Sequence, residues 1–232
     1  MNIVAIIPAR GGSKGIPKKN IINFCGKPLI YWTIKNALEC CEISSVWVSS
    51  DDDEIISLST KHGAKCIKRP DTLSESQSSS ESAWIHAINE IEKKEKIDLV
   101  VAMQATSPIR ESKDLTNAIN LMIENKYDSL FSSSIIRDRF IWEKNKNLYV
   151  PSNHDMFNRK PRQLIKEKYL ENGSFWIFTP ELIKSKNNRL GGKIGNYIMD
   201  FYKSFQIDEP EDITICESVM KAFLINKELK KN

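Results

Sequence analysis

Short β-branched runs alternating with helical spacings restrict this chain more than any other feature. "NIVAIIPA" (2–9) reads as a strand, and a helix over Leu29 to Cys41 follows with Ile30, Ile34, Ala37, Leu38 and Cys41 on one face. "SSVWVSSD" (44–51) is the next strand, then a helix over Ile55 and Leu58 that His62 and Gly63 close. The rhythm repeats. "AKCIKR" (64–69) precedes a Ser-rich loop and a helix with Trp84, Ala87, Ile88 and Ile91 inward; "DLVVAMQAT" (98–106) precedes one with Leu115, Ile119 and Met122 inward. Strand and helix in alternation imply parallel strands joined by right-handed crossovers, hence an α/β fold with a mostly parallel sheet and helices on both faces. Ligands of such sheets bind at the carboxyl ends of the strands.

After a further strand, "YDSLFSSSII" (127–136), the rhythm breaks. "FIWEKNKNLYV" (140–150) suggests a hairpin around Asn145 to Asn147, and residues 151–170 are polar and cationic without a period. The chain of 232 residues fits a single domain, 1–232, with an inserted subdomain at about 137–170 of the kind that packs on a second subunit. The rhythm resumes with "GSFWIFT" (173–179), "YIMDFYKSFQID" (197–208) and a last helix from near Pro210, a residue suited to a first helical turn. Ser78 and Glu81 have capping-box spacing for the helix they precede.

The formal charge is +4, of which residues 221–232 hold four lysines against one glutamate, or +3, leaving +1 for residues 1–220. That balance argues against a nucleic-acid binder, whose affinity rests on many cations. Five cysteines without a C-x-x-C suggest neither a disulfide framework nor a zinc site, and a reducing cytoplasm is the expected location. No run approaches the about 20 apolar residues that span a bilayer, and the run Ile3 to Ile7 is too short for a signal segment. No membrane partner is expected.

The chemistry concentrates in "IIPARGGSKGIPKKN" (6–20), where a strand runs into three glycines and four cations. Glycines at such a junction bring backbone N–H groups close to an anion, and Lys or Arg add charge. Neither G-x-x-x-x-G-K-[ST] nor G-x-G-x-x-G fits, which excludes the P-loop and the dinucleotide fingerprint. "PARGGSKGIPKKN" instead resembles the opening signature of the acylneuraminate cytidylyltransferases, the CMP-nonulosonate synthetases. Further matches follow in that family's order: "RPDTLSESQSSS" (69–80), "MQATSPIR" (103–110), "RQ" (162–163), "YLENGSFWIF" (169–178), "GGK" (191–193) and "IDEPED" (207–212).

The resemblance implies a Rossmann-like, nucleotide-diphospho-sugar transferase-like fold with a dimerisation subdomain. It also implies transfer of CMP from CTP to the anomeric hydroxyl of a nonulosonic acid, with Mg²⁺ and release of pyrophosphate, by a homodimer. On this resemblance Arg10, Gly11, Gly12, Ser13, Lys14 and Lys19 hold the triphosphate, Asn20 meets the ribose, and Arg69, Ser78 and Ser80 surround the cytosine. Gln104, Thr106 and Ser107 face the sugar. Lys19, Arg162 and Asp208 are the catalytic set, with Asp208 the metal ligand. Arg159, Lys160 and Lys166 read as a solvated face, some of it within reach of a neighbouring subunit. Asp212 suits the first turn of the last helix, where the dipole favours a carboxylate.

Gln206 stands where some relatives carry a second acid, and "ENGSF" replaces an Arg found before the Asn-Gly in some bacterial relatives. The identity of the acid substrate is therefore open, a CMP-Kdo synthetase is the nearest rival, and an idle CTP sensor is the rival outside enzymes. His62, His86 and His154 have no metal-ligand spacing. Trp84, Trp142 and Trp176 suit packing, and Cys40 and Cys41 suit a helix.

Overall fold

The computed structural model describes residues 1–13, 15–75 and 77–226. In chain order the strands are β1 Ile3–Pro8, β2 Asn23–Phe24, β3 Lys27–Pro28, β4 Ser45–Ser50, β5 Lys65–Lys68, β6 Leu99–Met103, β7 Ser129–Ile136, β8 Trp142–Asn145, β9 Leu148–Pro151, β10 Lys168–Phe178 and β11 Ile194–Met199. The helices are α1 Leu29–Leu38, α2 Asp53–Lys61, α3 Ser80–Glu92, α4 Ser112–Asn125, α5 Pro180–Lys186 and α6 Pro210–Met220. A seven-stranded sheet has the order β11-β7-β10-β6-β1-β4-β5. All of its strands run parallel except β10, which is antiparallel to both β6 and β7.

The alternation of β1 explains the layers. Ile3, Ala5 and Ile7 enter one core with Ile30, Ile34, Leu115 and Ile119, whereas Val4 and Ile6 enter the other with Trp84, Ile88 and Ile91. Successive strand residues point to opposite faces, so a continuous apolar run belongs to a sheet covered on both sides. A third cluster, with Phe24, Leu29, Ile109, Ile207 and Cys216, seats α6 beside the loops at one end of the sheet.

Several expectations are corrected. The first helix stops at Leu38, which is half exposed; Cys40 is buried and Cys41 exposed. Ser79 rather than Ser78 caps α3, accepting from the Ser82 N–H, and Glu81 pairs with Arg189 at 2.8 Å instead of closing a capping box. β10 is antiparallel because the arm, not a crossover helix, delivers it to the sheet. The strand expected at 197–208 is β11, followed by a tight 3₁₀ turn over Phe201–Ser204.

The hairpin is present as β8 and β9, paired in a small sheet of their own. It lies in the stretch of residues 137–170, where Leu148, Tyr149, Phe157 and Leu164 are exposed. The last helix begins at Pro210 as expected, and His62 caps α2. No helix among the described residues is long and apolar enough to cross a membrane.

Candidate active site

The carboxyl ends of β1, β5 and β6 converge on a cavity of about 490 Å³ lined by Arg10, Ser13, Gly15, Lys19, Asn20, Arg69, Ser78, Ser80, Gln104, Thr106, Asp208 and neighbouring residues. These residues come from four separated stretches of chain, 8–20, 69–83, 104–106 and 208–209. The sheet assembles them.

Each described cation of the cavity has a holder. Arg10 Nη1 donates to the Glu75 carbonyl at 3.2 Å, which draws the loop after β5 over the cavity, and Asn20 Nδ2 donates to the Arg10 carbonyl at 2.9 Å. Arg69 is buried, its Nε on Ser74 Oγ at 2.9 Å and its Nη2 3.5 Å from Asp51 Oδ1. Burial pushes that guanidinium down from its ordinary pKa, and Asp51 opposes the shift. Lys19 Nζ reaches Asp208 Oδ1 at 2.9 Å and the Ile207 carbonyl at 3.1 Å.

The segment carrying Asp208 is braced from both sides. Ile207 N–H donates to the Thr106 carbonyl at 2.8 Å, and the N–H groups of Asp208 and Glu209 both donate to Asp212 Oδ2 at 2.9 Å. Those two N–H groups hold the Asp212 carboxyl below its ordinary pKa, and Glu209 with Asp212 forms the capping box of α6. Asp212 thus acts at the helix start, as its position suggested. A Cβ on Gly15 would lie 2.7 Å from the Asp208 carbonyl, so only glycine permits this approach.

Other expected residues fall differently. Gly11 donates its N–H to Asp51 Oδ1 at 3.1 Å, and a Cβ there would meet Asp52 Oδ2 at 2.7 Å; its smallness serves packing on the turn after β4. Gly12 is exposed with open space at its Cβ position and does not line the cavity. Lys14 lies outside the described residues. Ser107 is buried and donates to the Gly173 carbonyl at 3.2 Å, away from the cavity. Arg162 is exposed, 3.7 Å from Asp138, in a separate recess of about 450 Å³ shared with Arg137, Arg139 and Phe201.

Gln206 donates Nε2 to the Asn172 carbonyl at 2.7 Å and crowds the α-carbon of Gly173, which has φ of +63°. Its amide is therefore committed to the backbone of β10. Sequence reasoning missed Asp51 and Glu209. Both follow directly on features that were legible, the carboxyl end of β4 and Asp208, and the rule that strand ends carry the site would have found Asp51.

Fold and cleft together define a nucleotidyltransferase-like α/β protein. A solved CMP:2-keto-3-deoxy-manno-octonic acid synthetase complexed with CTP shares the fold at a TM-score of 0.72 and 15% identity, over 97% of this chain and 100% of that one. The family model for cytidylyltransferase matches residues 4–229, and this chain belongs to that family. It is 38% identical over 227 residues to N-acylneuraminate cytidylyltransferase A of Danio rerio, covering 96% of this chain and 51% of the relative. It is 36% identical over 185 residues to a pseudaminic acid cytidylyltransferase of Campylobacter jejuni, covering 77% of this chain and 79% of the relative. The chain spans about half the length of the animal relatives it matches.

Proposed function

We propose that this chain transfers CMP from CTP to the anomeric hydroxyl of a nonulosonic acid and releases pyrophosphate. The observation that carries the reading is the convergence of Arg10, Lys19 and Arg69 with Asp208 around one cavity at the strand ends, in a member of the cytidylyltransferase family. Relatives named for N-acylneuraminate and for pseudaminic acid support the substrate class.

Arg10 and Lys19 are placed to hold the triphosphate, and a planar fork or a compact ammonium suits phosphate oxygens. Asn20 keeps its amide nitrogen on the Arg10 carbonyl, which leaves the side-chain oxygen for a ribose hydroxyl. Gln104 and Thr106 orient the acceptor sugar from the opposite wall. Displacement at the α-phosphorus is mainly positioning and charge neutralisation, so water exclusion and alignment in this cavity supply much of the rate.

Mg²⁺ fits the donor set. Among the described residues no group of three or more His, Cys, Asp or Glu could hold a metal alone, but Asp208 offers one hard oxygen toward the cavity, and Mg²⁺ is commonly held by one or two carboxylates with phosphates and water. When bound there, the ion would neutralise phosphate charge. Lys19 would then exchange its contact with Asp208 for phosphate oxygen.

The stretch 137–170 is the candidate dimer contact, because Leu148, Tyr149 and Phe157 present apolar surface that nothing among the described residues covers. Arg162 belongs to this stretch and does not line its own chain's cavity, and on this reading it acts at the neighbouring subunit's cavity. The test is pyrophosphate release with CTP and Mg²⁺ against N-acetylneuraminic, legionaminic, pseudaminic and Kdo acids. Release with one nonulosonic acid supports the reading; release with Kdo alone reassigns the substrate, and silence with CTP binding retained supports a sensor.

A further inference from the structure

We infer that Arg110 is a positioning residue for the proposed transfer: its buried guanidinium fixes the loop that presents Gln104 and Thr106 and ties that loop to β10. The inference rests on the proposed function of that loop.

Arg110 is 1% exposed, and among the described residues its guanidinium bonds to carbonyl and hydroxyl oxygens and to no carboxylate. Its donors go to oxygens of the chain. Nε donates to the Ser107 carbonyl at 3.1 Å and Nη1 to the Ser174 carbonyl at 2.9 Å; Nη2 meets the carbonyls of Gln104 and Ser107 and Thr33 Oγ1. Asn36 Nδ2 in turn donates to the Arg110 carbonyl at 2.9 Å, fixing the arginine to α1.

Burying a charge without a close counter-ion is costly. The pKa falls to about 9 through burial, with Asp114 opposing. A core that needed only filling would hold an apolar side chain there; the guanidinium instead supplies the several donors these carbonyls require, in a rigid plane.

The geometry shows what those carbonyls control. Gln104 and Ser107 bracket Thr106, and the Thr106 carbonyl accepts from Ile207 N–H, the residue before Asp208. The Ser174 carbonyl also accepts from Gln104 N–H at 3.3 Å, and Ser107 Oγ binds the Gly173 carbonyl. One guanidinium therefore sets the distance between the sugar wall, the β10 irregularity and the segment carrying Asp208. Arg10 and Arg69 are held elsewhere, by the loop after β5 and by Asp51 after β4, whereas Lys19 rests on Ile207 and Asp208.

Arg110→Lys keeps the charge and loses the fork, and Thr33→Val removes one partner of the guanidinium together with the Thr33 Oγ1 bond to the Gln104 carbonyl, leaving the guanidinium in place. For Arg110→Lys the expected result is a KM for the sugar acid about 10-fold higher and a kcat about 10-fold lower, since small misplacements of reacting groups cost that much. The Kd for CTP stays within about 3-fold. Thr33→Val shows the same split at a smaller size. Amide hydrogen exchange should quicken at 104–107, 173–174 and 207, with α2 and β4 unchanged. Equal losses toward CTP and acid, or unchanged exchange at those amides, overturn the positioning role. Silence of the unaltered chain toward every acid counts against the proposed function instead, and the exchange measurement then decides the role of Arg110 by itself.

Discussion

The cleft and the arm at 137–170 differ in what each needs from outside. Around the cleft, Arg10, Lys19, Asn20 and Arg69 each have a partner in the same chain, and the walls rest on strands of a seven-stranded sheet. In the arm, two strands pair only with each other, and Phe157 is 89% and Leu148 72% exposed. An isolated two-stranded hairpin is marginal in water. The contrast teaches that the cleft is held together within one chain, whereas the arm leaves large apolar side chains exposed.

The sharpest break of that picture comes from the cleft. Asp208→Asn should lower kcat by roughly 10²–10³-fold, the scale of losing one preorganised electrostatic group, with the melting temperature nearly unchanged. Unfolding instead would make Asp208 a structural residue. Arg10→Ala should lower kcat/KM for CTP by about 10- to 100-fold, as expected for a lost charged hydrogen bond.

On the arm, Leu148→Asp with Phe157→Asp should halve the sedimentation mass while CTP affinity stays within about 3-fold, because burying unpaired carboxylates at an apolar contact is prohibitive. A persisting dimer would move the contact elsewhere. Mixing Arg162→Ala with Asp208→Asn sharpens the division further: if Arg162 serves its neighbour, mixed dimers regain one working site, and activity returns to roughly a quarter of the unaltered level. No recovery places Arg162 at its own chain's cavity.

The smallest effect belongs to the helix start. Asp212→Asn should cost about 1 kcal/mol, the usual size of a cap. The carboxyl is held below its ordinary 3.8, so its contribution is present above that value and is lost as the pH falls through the lowered one. Urea midpoints between pH 2 and 6 would show the two proteins converging at the acid end.

The fold was legible wherever period and burial agreed. The inward residues of α3 and α4 followed from spacing, and Pro210 marked its helix. The direction of β10 was not legible, because no helix precedes it and the crossover rule is silent there. At the site, the residues expected at strand ends line the cavity, whereas Gly11 and Ser107 make contacts within the chain. Gly11 looked like an anion contact because a glycine in a loop has the same letter whether it faces ligand or a neighbouring carboxylate. Ser78 and Ser79 differ as caps by one residue of loop path, which tertiary contacts decide. Arg110 stood in a quoted motif, yet burial alone reveals what its fork does.

β10 itself joins the two regions. Its eleven residues begin in the exposed arm at Lys168 and end in the core at Phe178, with an irregularity between Glu171 and Trp176. The strand is a ruler between assembly and chemistry. Related lineages can lengthen the β8–β9 tip without consequence for the cavity, whereas a residue gained or lost between Lys168 and Glu171 displaces the arm by about 3.3 Å and turns its faces over. Length drift in this family should therefore collect at the hairpin tip and stay away from those four positions.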